Sequence, residues 1–432
     1  MAGHPNHPLT PPPPRVYTSG VSIRIGSLFS GAGGLDMAVA EVSGGTVAWY
    51  CELDPAASKV LAYRFPDAPN LGDITKADWT QVEPVDVLCG GFPCQDVSSA
   101  GKRAGLRDGT RSGLWSVFAD LIELLRPPIV VIENVRGLLS AKADRCVESG
   151  ENVVGDGAGG PVLRAAGAVL GDLADLGYDA VWATVAAADV GAPHRRERVF
   201  IVARIAHPSS DGLEGHDASL SVDSARGGWE GDTFGSVGVA HAPDTSSYGR
   251  DEGRPEPARL ERGFDAAVSG DGPVNLLPTP RTSDTNGAGL HGTGGPDLRT
   301  AVTLLPTPQA RDWKDSNSGS PAEIDRRTPN LGAVSHYLPT SQSWGKYGPA
   351  IQRWENATRP APAPTEPNSK GNPRLSAAFS EWMMGWPDGW VTDVPGIKRN
   401  DALRIVGNGV CPQQAIAALR YLLVEWEEEE MR

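Results

Sequence analysis

Cysteine is scarce: five in 432 residues, at Cys51, Cys89, Cys94, Cys146 and Cys411. An odd, scattered set fits neither a disulfide framework nor a metal-ligand spacing. A reduced, cytosolic protein without a metal site is the expectation. Long apolar runs are missing too. None approaches the roughly 20 residues of a membrane span, so no membrane partner is expected. The first residues, Met1 to Arg15, are proline-rich and have no apolar core, unlike a secretory signal. Positive charge is also in short supply, with 39 Lys and Arg against 53 Asp and Glu, a net of −14. That balance argues against an indiscriminate polyanion binder.

What the chain has in quantity is glycine, 52 residues, and proline, 37, concentrated in its second half. The first half reads as alternating strands and helices. Val21 to Phe29 is an apolar strand, followed by Ser30-Gly31-Ala32-Gly33-Gly34 and a helix from Leu35. Strand, glycine turn and helix bring a nucleotide-like ligand onto a helix N-terminus, although the same pattern serves a plain tight turn. Strand Thr46–Cys51 ends at Glu52, an acid placed to hold a ribose diol. After a helix over 56–65, Asn70 to Ile74 reads as a third strand carrying Asp73.

Val85 to Cys89 reads as a buried parallel strand that ends at Gly90-Gly91-Phe92-Pro93-Cys94-Gln95. The turn presents Cys94 at a strand's carboxyl end, as a candidate nucleophile or as a buried thiol. A polar, glycine-rich and basic run over 96–113 follows, long enough to close over a polyanion. Helix Leu114–Arg126 comes next, and strand Ile129–Ile132 then delivers Glu133-Asn134-Val135. Helix 161–176 and strand Tyr178–Val185 lead to His194-Arg195-Arg196-Glu197-Arg198 and strand Val199–Ala203. Three arginines beside an apolar strand are either a solvated edge or an anion site.

Texture divides the chain. Residues 1–22 read as a disordered proline-rich tail, and 23–206 as the first part of a catalytic and cofactor-binding domain. Residues 207–275 read as a low-complexity, flexible insert, 276–374 as a small loop-rich domain, and 375–432 as a return to globular sequence. From Leu277 to Pro360 there are nine Lys or Arg against seven Asp or Glu, a net of +2, so the remainder carries −16.

These motifs, in this order, resemble the DNA (cytosine-5)-methyltransferase family over roughly 23–205 and 375–432. The resemblance implies an α/β fold: a Rossmann-like S-adenosylmethionine-dependent methyltransferase sheet with a second, smaller, loop-rich target-recognition domain. It implies Cys94 as nucleophile, Glu133 on the target base, and Arg196 and Arg198 as the paired arginines of the catalytic site. For S-adenosylmethionine, with S-adenosylhomocysteine as product, it implies Phe29, Ser30, Gly31, Gly33, Gly34, Glu52, Asp73, Pro93, Leu114, Asn408 and Val410. For double-stranded DNA it implies Gln95, Ser98 and Arg111; in the variable segment, whose net charge is +2, Arg281, Arg299, Arg311 and Lys314, close after the Leu-Pro-Thr repeats, are the candidates. A cognate restriction endonuclease and action as a monomer belong to the same expectation. The family usually has Gln where this chain has His194. A tRNA cytosine-5 methyltransferase and a catalytically silent DNA-binding homologue share the motifs and stay as alternatives.

Overall fold

A computed structural model of the chain describes residues 22–92, 114–141, 165–206, 235–240, 305–314, 331–336, 338 and 344–430. Its centre is a seven-stranded sheet in the order β2-β1-β3-β4-β6-β5-β7. The strands are β1 (Arg24–Leu28), β2 (Thr46–Cys51), β3 (Val87–Gly90), β4 (Ile129–Val135), β5 (Tyr178–Ala186), β6 (Glu197–Ile205) and β7 (Gly235–Ala240). The first four pair in parallel. Strand β6 runs antiparallel between β4 and β5, so its N-terminus arrives at the edge where the parallel strands end.

Alternation along the strands divides the core between two faces. Leu88, Val130 and Ile132 pack with Phe118 and Ile122 of α3 (Leu114–Leu125) and with Val169 and Leu173 of α4 (Ala165–Asp175). Val87, Cys89 and Val131 point the other way. They pack with Leu35 and Val39 of α1 (Gly34–Ser43) and with Ala415, Leu419 and Leu422 of a C-terminal helix, Pro412–Glu430. That helix begins after the long central segment and closes the sheet's second face. The architecture is the expected α/β, Rossmann-like one.

A second core lies off the sheet. Leu305, Leu331, Val334, Ile351 and Trp354 share it with Leu375, Phe379, Trp382, Met383, Trp386, Leu403 and Val406. Residues on both sides of position 374 thus pack together. The position itself falls inside the hairpin formed by Thr365–Pro367 and Pro373–Leu375.

Two local readings are corrected. Asn70 to Ile74 forms no strand; a single bridge, Tyr50 to Asn70, is all that pairs there. The Asn70 side chain competes with a ladder, since its Oδ1 accepts from the N–H groups of Glu52 (3.1 Å) and Gly72 (2.9 Å). Within 207–275, read from composition as a flexible insert, Gly235–Ala240 adds an edge strand to β5. Helix α2 (Pro55–Arg64) starts where a capping residue dictates, with Asp54 Oδ1 accepting from Ala56 and Ala57.

Candidate active site

The glycine turn after β1 begins at Phe29, whose φ of 55° is unusual for a residue with a side chain. Ser27 and Ser30 hydroxyls lie 2.7 Å apart beneath it. Glu52, at the tip of β2, folds back under the turn. One carboxylate oxygen accepts the Gly31 N–H and the other the Asp54 N–H, both at 2.7 Å. Burial raises the Glu52 carboxyl above its ordinary value, against the pull of those N–H groups. A Cβ built on Gly31 would meet nothing within 4 Å, so the turn borders open space next to an acid. Asp73 lies in the same region, held down to about 2 by the Thr75 hydroxyl, with Lys76 and the Thr75 N–H adding to it.

The second half of the site forms where β3, β4 and β6 meet. Glu133 Oε1 lies 2.8 Å from Arg198 Nε, and both side chains are mostly covered. The register places Arg198 opposite Val135 and Glu133 opposite Phe200. Gly91 permits the arrangement, because a Cβ there would come within 2.9 Å of Glu133 Oε2. Asn134 fixes the chain just before Pro93-Cys94: its Nδ2 donates to the Phe92 carbonyl at 3.1 Å.

A row of aromatic rings joins the two halves. Phe92 and Trp115 have centroids 5.2 Å apart, Trp115 and Phe118 5.7 Å, and Phe118 and Phe29 6.4 Å. Trp115 Nε1 donates to Asp172 at 2.7 Å, which locks the middle ring. Leu114, the first residue of α3, packs against this core.

Arg196 and Arg198 part company. The Arg196 guanidinium is buried and donates to the carbonyls of Gly407, Gly409 and Pro308. Burial pushes it down to about 9, with Arg198 adding to the effect. Gln414 Nε2 donates to the Arg196 carbonyl at 2.7 Å and to Val185 at 2.8 Å. These contacts tie β6 to the C-terminal block, so Arg196 holds structure here and only Arg198 faces Glu133. His194 does similar work. Its buried ring lies 3.0 Å from the Met383 carbonyl, and burial drives it to about 3, leaving it neutral and donating from Nε2.

Three contacts escaped sequence reading, one of them on the glycine turn itself. Trp390 Nε1 donates to the Ala32 carbonyl and Trp386 Nε1 to the Val410 carbonyl, each at 2.8 Å. Arg404 pairs with Asp54 at 2.8 Å. The tryptophan-rich run 382–390 was the available signal. Asn408 ends helix Arg399–Asn408 and is exposed. Arg311 and Lys314 are exposed on a turn of 3-10 helix, Ala310–Lys314, with Lys314 over the Trp313 ring. Pro93, Cys94, Gln95, Ser98, Arg111, Arg281 and Arg299 lie outside the described residues.

Residues 23–210 match the family model for C-5 cytosine-specific DNA methylase. Across those residues the chain is similar to that family. The type II methyltransferase M2.BsuMI of Bacillus subtilis is 33% identical over 201 residues, 46% of this chain and 46% of that protein. M.MspI of a Moraxella species is 32% identical over 176 residues, 41% and 37% of the two chains. The chain thus spans less than half the length of these curated relatives. A solved structure of a Spodoptera frugiperda DNMT2 mutant aligns at 15% identity and a TM-score of 0.46, over 93% of this chain and all of that one. The matched residues include the glycine turn, Glu52, Cys94, Glu133 and Arg198. Among the described residues, no helix is long and apolar enough to cross a membrane.

Proposed function

We propose that the chain methylates carbon 5 of cytosine in a specific duplex DNA sequence, drawing the methyl group from S-adenosylmethionine. The observation that carries this reading is the Glu133–Arg198 pair beside Gly91, one residue before the run Phe92-Pro93-Cys94. The open space at Gly31 and the inward acid Glu52 fit an adenosyl cofactor. Phe29, Ser30, Gly31, Glu52 and Asp73 would hold it, with Gly33, Gly34, Leu114, Asn408 and Val410 framing the space. When bound, it supplies an electrophilic methyl group on a sulfonium centre.

The rest is the work of the chain's own residues. Carbon 5 of cytosine is a poor nucleophile. A Cys94 thiolate adding at carbon 6 opens the 5,6 double bond and makes the ring enamine-like. Glu133 hydrogen-bonds or donates a proton to N3 as the sulfur attacks. Arg198 donates to O2 and stabilises the charge gathered there. Once carbon 5 has bonded to the methyl group, loss of its proton to a base expels the Cys94 sulfur and restores the ring. Carbon 6 is out of reach within a stacked duplex, so the target base must swing out.

Arg196 acts in this scheme as a positioning residue, through the backbone that carries Arg198. Segment 276–374, with Arg281, Arg299, Arg311 and Lys314, selects the target sequence. The chain works as a monomer, and a nuclease reading the same sequence is its natural counterpart. The test is a duplex carrying 5-fluorocytosine, which cannot lose a proton at carbon 5 and so traps the adduct. Trapping by the native chain, lost in Cys94→Ser while cofactor binding persists, supports the reading. Transfer of labelled methyl to tRNA but not to duplex DNA would replace the substrate, and no transfer to either would leave a silent homologue.

A further inference from the structure

Two arginines at the rim of the Glu133–Arg198 pair have no part in that chemistry. Arg136 follows Val135 at the end of β4, and Arg195 precedes β6. They come from separate stretches and close on one carboxylate. Arg136 Nη1 donates to Glu197 Oε2 at 2.6 Å, and Arg195 donates to Glu197 Oε1 from Nη2 at 2.6 Å and from Nε at 3.0 Å. The two cations are 62% and 70% exposed, and the carboxylate between them is largely covered. Burial works against the Glu197 charge, yet the two guanidiniums outweigh it and hold the carboxyl below its ordinary value.

Stability does not account for such an arrangement, since exposed ion pairs contribute little. The two guanidiniums converge on one carboxylate beside the Glu133–Arg198 pair, with Asp189 the next acid in range of Arg195, on a chain of net charge −14. A guanidinium has five N–H donors. Glu197 takes one from Arg136 and two from Arg195, so each fork keeps donors at the exposed rim. The shared carboxylate keeps two flexible cations side by side, which lowers the entropic cost of gripping an anion together. Opposed arginine forks match the oxygens of a phosphodiester.

We propose that Arg136 and Arg195, spaced by Glu197, grip a backbone phosphate of duplex DNA at the rim of the site. The proposal rests on the DNA reading above and adds to it the residues that seat the strand beside the reacting base.

The test is fluorescence anisotropy of the full chain on a labelled duplex over a range of salt. A lost phosphate contact lowers the slope of log affinity against log salt by about 0.9. Arg136→Ala and Arg195→Ala should each remove about that much, and the double variant about 1.8. The double lysine variant should keep the slope, because it keeps the charges. Calorimetry with S-adenosylhomocysteine should give native affinity in all of them, which confirms an intact fold. The proposal is overturned if the native chain binds duplex and the double alanine variant keeps its slope. It is overturned too if Lys59→Ala, at an exposed lysine on α2 outside the segment assigned to target selection, lowers the slope as much. A native chain that binds no duplex also overturns it. Slopes that fall as expected in a chain that transfers no methyl group would uphold the grip and sink the catalytic reading instead.

Discussion

Gly34, in the first turn of α1, lies under the carbonyl of Val410: a Cβ at position 34 would stand 2.5 Å from that oxygen. The same carbonyl accepts the Trp386 indole N–H. The helix behind the glycine turn and the turn before the C-terminal helix thus meet backbone to backbone. The glycine-turn half of the site exists only once the far end of the chain has docked.

Gly34→Ala is therefore expected to force these two backbones apart. Overpacking of this kind costs about 1–3 kcal/mol. Urea denaturation should show a lower midpoint, and affinity for S-adenosylhomocysteine should fall with it. An unchanged midpoint would mean that the contact is slack.

Asp36 should make stability depend on pH. It is fully buried, with the Ser27 and Ser30 hydroxyls as its polar neighbours. Burial lifts its carboxyl from 3.8 to about 6, with Glu52 adding to the rise and the Ser27 and Ser30 hydroxyls opposing it. The folded chain keeps a proton that the unfolded chain releases earlier. Stability from this group is fully present below about pH 4 and lost as pH rises through about 6. The loss is on the order of 3 kcal/mol at 1.36 kcal/mol per pH unit. Asp36→Asn should flatten the slope and stabilise the protein at pH 8. Denaturation curves at pH 5 and pH 8 decide it, and parallel losses in both proteins would refute it.

Glu52→Ala should weaken cofactor binding by about 1–3 kcal/mol, the usual worth of a lost bond to a charged group. It also strips the acceptors from the Gly31 and Asp54 N–H groups. Glu52→Gln, which keeps one acceptor oxygen, should fall between. Calorimetry giving native affinity in both variants would return Glu52 to an ordinary loop acid.

Glu133→Gln keeps the shape of the Arg198 contact and removes the acid. Methyl transfer in a single turnover should drop by about 10²–10⁴, the usual worth of general acid catalysis. Cofactor affinity should hold, because Glu133 faces Arg198 and Gly91 and not the glycine turn. A variant within tenfold of the native rate would remove Glu133 from the proton path.

The sheet was legible because its strands are short apolar runs ending in glycine or acid, a local pattern. Thr46–Cys51 follows Gly44-Gly45 and stops at Glu52, as its composition suggested. Asn70 to Ile74 misled because a side-chain amide, invisible to periodicity, took the backbone partners a strand would need. Arg196 and Arg198 look alike in sequence. Two residues apart in extended chain should share a face, but the φ of 34° at Arg196, just before β6, sends its guanidinium into the C-terminal block. Trp390 was beyond any local pattern, since its bond to Ala32 spans 358 positions.

The ring contact between Phe92 and Trp115 bears on the stretch between them. The chain departs at one ring and returns at the other, with centroids 5.2 Å apart. Its ends are thus pinned by the aromatic row, whatever lies between. The entropy of closing such a span grows only with the logarithm of its length, so doubling it costs about 0.6 kcal/mol. Lengthening or rewriting residues 96–113 should leave folding almost untouched. The length of this stretch can therefore change at little thermodynamic penalty.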